Sequence, residues 1–398
     1  MNYDVIIVGG GLAGSALAQA LANSGRRVLV LEREREFRDR VRGEQMHPWG
    51  VSAARALGIY DSLAESCGNQ TRYWTTWVKG NPAFVRDLQE TTPHGCGSFN
   101  LPHPAMQETL SRLAEDAAAE VRRGARVDEV IPGDPPAVRF RENGVEETLE
   151  ARVVVGADGR NSKARGWGGF KVQRDPDRLM IAGLLLEDFS APDDATHLCV
   201  GAGCASLVAP LRNGRARVYF MYPKETGRRR LSGDAQVKEF LDCCRQAVTP
   251  DEWLEGARPA GPLAEFNGAD HWVEHPARDG VVLIGDAAAS SDPGWGSGLS
   301  LTLLDVVRLS ECLDSTDDWS AAIHRYAEEH DRHYGALHQV TQMWADLIWS
   351  PGEAAEQRRQ RVLPSLLTEP EGIPDVIGLG PESPLDEEAQ ARFLGEAS

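Results

Sequence analysis

The chain has little that would place it anywhere but in water. No apolar run approaches the roughly 20 residues that a membrane-spanning helix needs. The N-terminal MNYDVIIVGGG has no basic leader, and its apolar stretch breaks into glycines within a few residues. Positive charge is also scarce: 42 Lys and Arg stand against 60 Asp and Glu, for a formal charge of −18. That balance disfavours nucleic acid and anionic membranes, both of which attract clustered cations. The seven cysteines (Cys67, Cys96, Cys199, Cys204, Cys243, Cys244 and Cys312) form neither a C-x-x-C nor a zinc-type Cys/His spacing. No metal is expected, and the thiols read as reduced, in keeping with a cytoplasmic protein. The vicinal Cys243 and Cys244 fall inside VKEFLDCCRQAV, where one helix brings them together without a redox role.

With 398 residues there is enough chain for two cores. YDVIIV ends in Gly9-Gly10-Gly11 and leads into the Ala/Leu-rich LAGSALAQALANSG and then RRVLVLER, a strand, turn, helix and second strand that predict a parallel sheet. Residues 72–100, rich in Trp, Thr and Val, are expected to form antiparallel strands. A helix is expected from Ala105 to about Arg123, followed by strands VDEVI, AVRFRE and VEETLEARVVVGADG. Between about 178 and 225, three or four strands follow one another without a long helix. The expected fold is α/β, a Rossmann-type domain (1–71, 101–170 and 265–318) interleaved with an antiparallel-sheet substrate domain (72–100 and 171–264). Residues 319–398 are expected to add helices and a Pro-rich acidic tail whose end is flexible.

Gly9, Gly11 and Gly14 form G-x-G-x-x-G between strand and helix, and Glu32 closes the next strand. This is a dinucleotide fingerprint: Gly9 turns the chain, Gly11 admits a pyrophosphate, Gly14 lets helix pack on strand, and the acid accepts from ribose hydroxyls. An acid at 32 disfavours a 2′-phosphate, which leaves FAD or NAD at this site.

Gly156-Ala157-Asp158-Gly159 with Arg160, Asn161, Ser162 and Arg165, and Gly285-Asp286-Ala287-Ala288 further on, resemble the motifs of the FAD-dependent aromatic-hydroxylase-type monooxygenases typified by p-hydroxybenzoate hydroxylase. The resemblance covers nearly the whole chain and implies FAD as cofactor, reduced by NADH or NADPH. It further implies dioxygen added at the flavin C4a, with oxygen delivered to a small aromatic or polyketide-like substrate. It places Asp286, after Gly285, on a ribityl hydroxyl, Asp158 beside the pyrophosphates, Arg42 (with Arg33 nearby) on the diphosphate and Gln107 near the flavin. His103 stands where that family has arginine. Asp292 to Gly298 resemble the loop and helix start beneath the flavin ring, with Pro293, Gly296, Gly298 and Leu299 at its reactive edge. Ala289 replaces the family's His, and Ser300 its Asn. His47, His94 and His103 are candidate bases for ionising a phenol, His47 foremost. Trp74, Trp77, Leu207, Val208, Pro210, Tyr219, Met221 and Trp295 are candidate pocket walls, Tyr219 and Met221 sharing one strand face. The aromatic helix with Trp319, Tyr326, Trp344 and Trp349 reads as packing.

Three alternatives remain open. YWTTWV lacks the W-x-W-x-I-P segment of flavin-dependent halogenases. A reductase or desaturase of the geranylgeranyl-reductase type would use reduced flavin without oxygen, and a protein with a vestigial redox centre would bind flavin alone. A single glycine fingerprint means that the nicotinamide binds transiently or that a partner flavin reductase supplies electrons. The oligomeric state is left open.

Overall fold

The computed structural model describes residues 2–41, 43–368 and 372–395. Strand Val5–Val8 lies at the centre of a mostly parallel sheet, with Val5 opposite Val28 on one side and Val153 on the other. Glu120–Arg123 extends one edge, Val281–Leu283 and Ala277–Arg278 the other. VIIV and VLVLE are buried along their full length because both faces are covered. Alternation sends Val5, Ile7, Val28 and Val30 against Leu17, Leu110 and Leu303 of three helices. It sends Ile6, Val8, Leu29 and Leu31 against Val130 and Phe140 of a small antiparallel sheet. The strands that follow Val5–Val8 in sequence lie on opposite sides of it, so a switch-point crevice opens at its carboxyl end.

Two expectations for this region need correction. The helix runs only from His103 to Asp116, and Glu120–Arg123 is an edge strand beside Val28–Glu32. Ala118 turns the chain with φ +71°, after which the open sheet edge outweighs the helical preference of the alanines. The segment read as one strand from Val145 is two: Val145–Glu150 stays in the small antiparallel sheet, and Val153–Gly156 enters the parallel one.

The second sheet is built on Leu179–Glu187, Arg215–Pro223, Cys204–Leu211 and Ala195–Gly201, antiparallel in that order. Its outer face buries Val208, Val218 and Phe220 against Phe240, Cys243 and Cys244 of helix Val237–Gln246. The inner face carries Ile181, Leu207, Tyr219 and Met221, with Trp74 behind them. Tyr73–Val78 pairs antiparallel with Asn81–Asp87, as expected for this stretch, and its other edge joins the second sheet parallel to Ala195–Gly201. Ser98–Asn100 leaves it altogether to pair with Gln45–Met46 and Asn69–Thr71. Ala264–Gly268 pairs with Leu179–Glu187, so the sheet reaches past the boundary expected at 265.

Helix Trp319–Trp349 is a packing element: the Tyr326 hydroxyl donates to the Leu283 carbonyl at 3.0 Å, and the Trp319 indole to that of Leu313 at 3.0 Å. The tail is not loose over its described length. Trp344 donates to the Pro374 carbonyl at 2.9 Å, Asp375 pairs with Arg86 at 2.7 Å where both are buried, and Phe393 packs on Trp344. All seven cysteines are buried and free. Among the described residues, no helix is long and apolar enough to cross a membrane.

Candidate cofactor cleft and substrate recess

A cleft of ≈ 670 Å³ opens at the carboxyl ends of the central strands, lined by Gly9, Gly11, Glu32, Arg33, Gln107, Asp158, Asp286, Pro293, Gly296, Gly298 and Leu299 among others. Its floor requires glycine for three different reasons. Gly9 has φ +105°, a conformation that penalises a side chain. A Cβ at Gly14 would stand 1.9 Å from the Gly9 carbonyl oxygen, so Gly14 works behind the cleft wall as the contact between helix and strand. A Cβ at Gly11 would meet only Gln107 Nε2, at 3.7 Å, and would therefore fill the cleft itself.

Glu32 is almost wholly buried, and its two oxygens accept the Gly10 and Glu34 N–H groups at 2.7 Å each. Asp158 is equally committed: it accepts from the Ser162 hydroxyl at 2.5 Å and from the N–H groups of Lys163 and Ala164, and so shapes the turn after its strand. Gly285 lies just behind the wall, its N–H bound to Asp305 at 2.8 Å, which leaves Asp286 facing the cleft. Arg33, Arg38, Arg40, Arg126 and Lys163 bring cations to the rim of an otherwise acidic protein. Arg42 lies outside the described residues.

At the other end, the N-terminus of helix Gly298–Asp314 presents Gly298, Leu299 and Thr302. The loop before it is set by Asp292, which accepts the Gly294 N–H at 2.8 Å, and by Gly296 at φ +67°. Burial raises the Asp292 and Asp270 carboxyls above the ordinary range. Asp270 comes close to Asp175 and His338, but its oxygens already accept from Tyr334 and from the Asp292 N–H.

His47 lines neither this cleft nor the recess described below, which argues against it as the base. It is fully buried, its Nε2 is 2.7 Å from the Trp295 carbonyl oxygen, and burial lowers its pKa. Its N–H donates to Ser300 Oγ at 2.9 Å, so it ties the loop to the start of helix Pro48–Ala56. The departure at Ser300 has a steric reason: a Cβ at the neighbouring Gly50 would lie 2.3 Å from Ser300 Oγ, so the pair is already in closest contact. His94 lines neither space either. His103 does line the cleft, with Nδ1 2.9 Å from Gln107 Oε1.

A recess of ≈ 30 Å³ continues the cleft at this end. Ile181, Leu207, Ala209, Met221 and Phe266 give it apolar walls, and Glu44, Gln45 and Tyr219 its polar ones. Of the expected pocket residues, Leu207, Tyr219 and Met221 line it and Trp74 backs them. Val208 faces the outer core, and so does the side of the strand that carries Pro210, because side chains alternate. The Pro210 carbonyl accepts from Asn69 and Asn100. Trp77 packs on Trp253, also in the outer core, and Trp295 stands beside Trp344.

Glu44, Gln45, Phe266 and Ser291 were not singled out by sequence reasoning. Glu44 accepts from Arg217 Nε at 3.0 Å and from the Tyr219 hydroxyl, while Arg217 Nη2 donates to Asp39 at 2.7 Å. Burial pushes the Glu44 carboxyl up to about 7, although Arg217 works in the opposite direction. No pattern marks it: it is one acid in RVRGEQM, brought to the recess by the pairing of Gln45–Met46 with Ser98–Asn100.

The residues present fit a flavin dinucleotide. Side chains are missing at Gly11 and Gly298, where they would enter the cleft, and Gln45 Oε1 and Ser291 Oγ along it are buried without a hydrogen-bond partner.

Comparison with known proteins agrees with this geometry. Rifampicin monooxygenase of Streptomyces venezuelae is 28% identical over 333 residues, covering 80% of this chain and 65% of that protein. A digeranylgeranylglycerophospholipid reductase of Methanopyrus kandleri is 27% identical over 358 residues, covering 84% of each. The crystal structure of a p-nitrophenol 4-monooxygenase from Pseudomonas putida has the same fold, with a TM-score of 0.77 at 19% identity over 92% of this chain and 94% of that one. The FAD binding domain family matches residues 2–333, and the chain belongs to it, as an FAD-dependent oxidoreductase.

Proposed function

We propose that the protein uses NADH or NADPH and dioxygen to hydroxylate or epoxidise a small, largely apolar aromatic or polyketide-like molecule. The observation that carries this reading is the continuity of cleft and recess, since Gly43, Gln45, Phe266, Pro293 and Gly296 line both. A substrate in the recess would lie at the end of the cleft marked by the loop and helix start, away from the Glu32 end. FAD, when bound, supplies electron transfer from the nicotinamide and activation of oxygen. The chain's own part is to hold and exclude. Glu32 would accept from ribose hydroxyls, Asp286 from the ribityl chain, and the Gly11 turn at its helix N-terminus would carry the diphosphate with Arg33 and the neighbouring cations. The start of helix Gly298–Asp314 would offset negative charge on the reduced ring. Ile181, Leu207, Met221 and Phe266 keep water from the reacting carbon.

The chain has one G-x-G-x-x-G, so the nicotinamide would bind transiently, or a partner reductase would supply electrons. The kinship to a reductase of closely similar length favours one second reading, hydride delivery to an alkene without oxygen. The test is to load the protein with FAD and follow anaerobic bleaching of the flavin band by NADH or NADPH. Air is then admitted with a panel of phenols and polycyclic aromatics, and products are analysed by mass spectrometry under ¹⁸O₂. Uptake of one labelled oxygen is expected; saturation of a double bond without label would establish the second reading instead.

A further inference from the structure

Gln45 stands where the cleft opens into the recess and lines both. Three wholly buried residues behind it settle the orientation of its amide. The Ser98 carbonyl can only accept, so the Thr71 hydroxyl, 3.4 Å away, directs its hydrogen there. Thr196 Oγ1 lies 3.2 Å from Thr71 Oγ1 and therefore donates to it, which leaves Thr196 as the acceptor for Gln45 Nε2 at 3.3 Å. The amide nitrogen is thus turned towards Thr196 and Oε1 away from it. A Cβ at Gly296 would stand 3.2 Å from that oxygen, so Oε1 looks into the space that Gly296, at φ +67°, leaves open. Among the described residues nothing donates to it, although Gln45 is almost wholly buried. A buried acceptor without a donor is costly, and a ligand that brings the donor removes the cost.

The surroundings of Oε1 say what kind of ligand that is. Ser291 Oγ, also buried and unpartnered among the described residues, lines the cleft alone, whereas Gln45 reaches the recess, so its donor belongs to what enters the recess. The recess has room for about one water-sized group, the size of a single ring substituent. The Tyr219 hydroxyl directs its hydrogen to Glu44, and the Glu44 carboxyl accepts from it and from Arg217 Nε at 3.0 Å. A carboxylate, nitro or carbonyl group placed there would set oxygen against oxygen. A hydroxyl supplies a donor but carries two lone pairs that Ile181, Leu207, Met221 and Phe266 cannot satisfy. An amine on an aromatic ring supplies the donor, while its lone pair is drawn into the ring and asks for no partner.

We propose that Gln45 is a specificity-determining residue and that the substrate it selects is a primary aromatic amine, whose N–H donates to Gln45 Oε1 while the ring lies at the junction of cleft and recess. The amine is held neutral and no proton is transferred. Gln45 thereby narrows the aromatic class of the reading above to molecules that carry an N–H group. The inference rests on that reading for placing the substrate in the recess, though not for the binding itself.

The test uses oxidised, FAD-loaded protein without nicotinamide, titrated near neutral pH with 4-ethylaniline, 4-ethylphenol and 4-ethyltoluene, which match in size and are uncharged there. Binding is read from the flavin absorption spectrum. The wild type is expected to bind 4-ethylaniline about 10-fold more tightly than 4-ethyltoluene, with 4-ethylphenol between them. Gln45→Met, close in shape but without the oxygen, is expected to lose that preference while FAD affinity and melting temperature stay near wild type; Gln45→Leu serves if the first variant does not fold. Equal affinity of the wild type for the three probes, or binding of none, overturns the proposal. So does a variant that keeps the preference, or one whose only change is weaker FAD binding, which would assign Oε1 to the cofactor. A preference for the amine without ¹⁸O-labelled product in turnover leaves the recognition standing and removes the monooxygenase reading; labelled product from a wild type without the preference does the reverse.

Discussion

The two ends of the active cleft are made of different materials. The cofactor end is largely backbone: the Gly9-to-Gly14 turn, two helix N-termini and a left-handed glycine, assembled from short stretches whose spacing does the work. The substrate end is made of side chains from at least five separate segments, around 44, 181, 207–221, 266 and 293–296. Backbone sites tolerate little variation, because the geometry itself binds; side-chain sites on a strand face can be re-lined without disturbing the sheet. The contrast accounts for a family that keeps one cofactor while its members' names differ in substrate.

The sharpest way to break this contrast is within the glycine turn. Gly14→Ala puts a Cβ 1.9 Å from a backbone oxygen, so helix Leu12–Asn23 must move off the sheet. Loss of soluble protein, or a large fall in melting temperature, is expected. Gly11→Val meets no backbone and should leave the apoprotein's circular dichroism and melting temperature near wild type while weakening FAD about 100-fold, worth about 2.7 kcal/mol. Equal loss of fold in both variants would mean that Gly11 is structural and that the cleft floor is not a cradle.

Glu32→Gln comes next. The carboxylate holds two backbone N–H groups and, in the proposed reading, would accept from ribose, and losing charge-assisted bonds costs about 1.5–3 kcal/mol. FAD affinity measured by fluorescence quenching should therefore fall about 10- to 100-fold, with catalysis at saturating FAD little changed.

The cofactor end was legible because its signals are local. A glycine at a fixed offset from a β-branched run carries its own geometric reason, and the same holds for Gly-Asp at a strand end. The outlines of the second sheet were visible too, in apolar strands separated by short polar turns with no long helix between them. What could not be read was which face of Cys204–Leu211 looked inward, since Leu207, Val208 and Pro210 were all candidates, and what came to meet it. Glu44 reaches the recess through a two-residue strand pairing with residues some 55 positions away, and its importance lies in being buried beside Arg217, a property of the assembled fold. His47 misled for the converse reason: a histidine in the right stretch is buried as a brace, and nothing in its neighbours announces that. In the tail a helix around RRQRVLPSLL was legible, its last residues lie outside the described ones, and the docking between them was hidden, since carboxylates look solvated until Asp375 is found against Arg86.

Ser300→Asn restores the residue the related pattern carries, at a position pressed against Gly50. Overpacking there should cost about 1–3 kcal/mol, read as a lower urea midpoint with an unchanged slope. FAD affinity should stay close to wild type, because Ser300 is buried behind the cleft and binds the His47 N–H.

The smallest effect separates the two faces of one strand. Leu207 faces the recess, whereas Pro210 sits on the opposite side, where its carbonyl serves Asn69 and Asn100. Leu207→Ala should change KM for an aromatic substrate about 5-fold, since removing part of an apolar wall alters contacts worth about 1 kcal/mol. Pro210→Ala keeps the carbonyl and should leave KM and kcat within error. If Pro210→Ala shifted KM as much as Leu207→Ala, substrate would have to reach the outer face, and the substrate end would not be the recess described here.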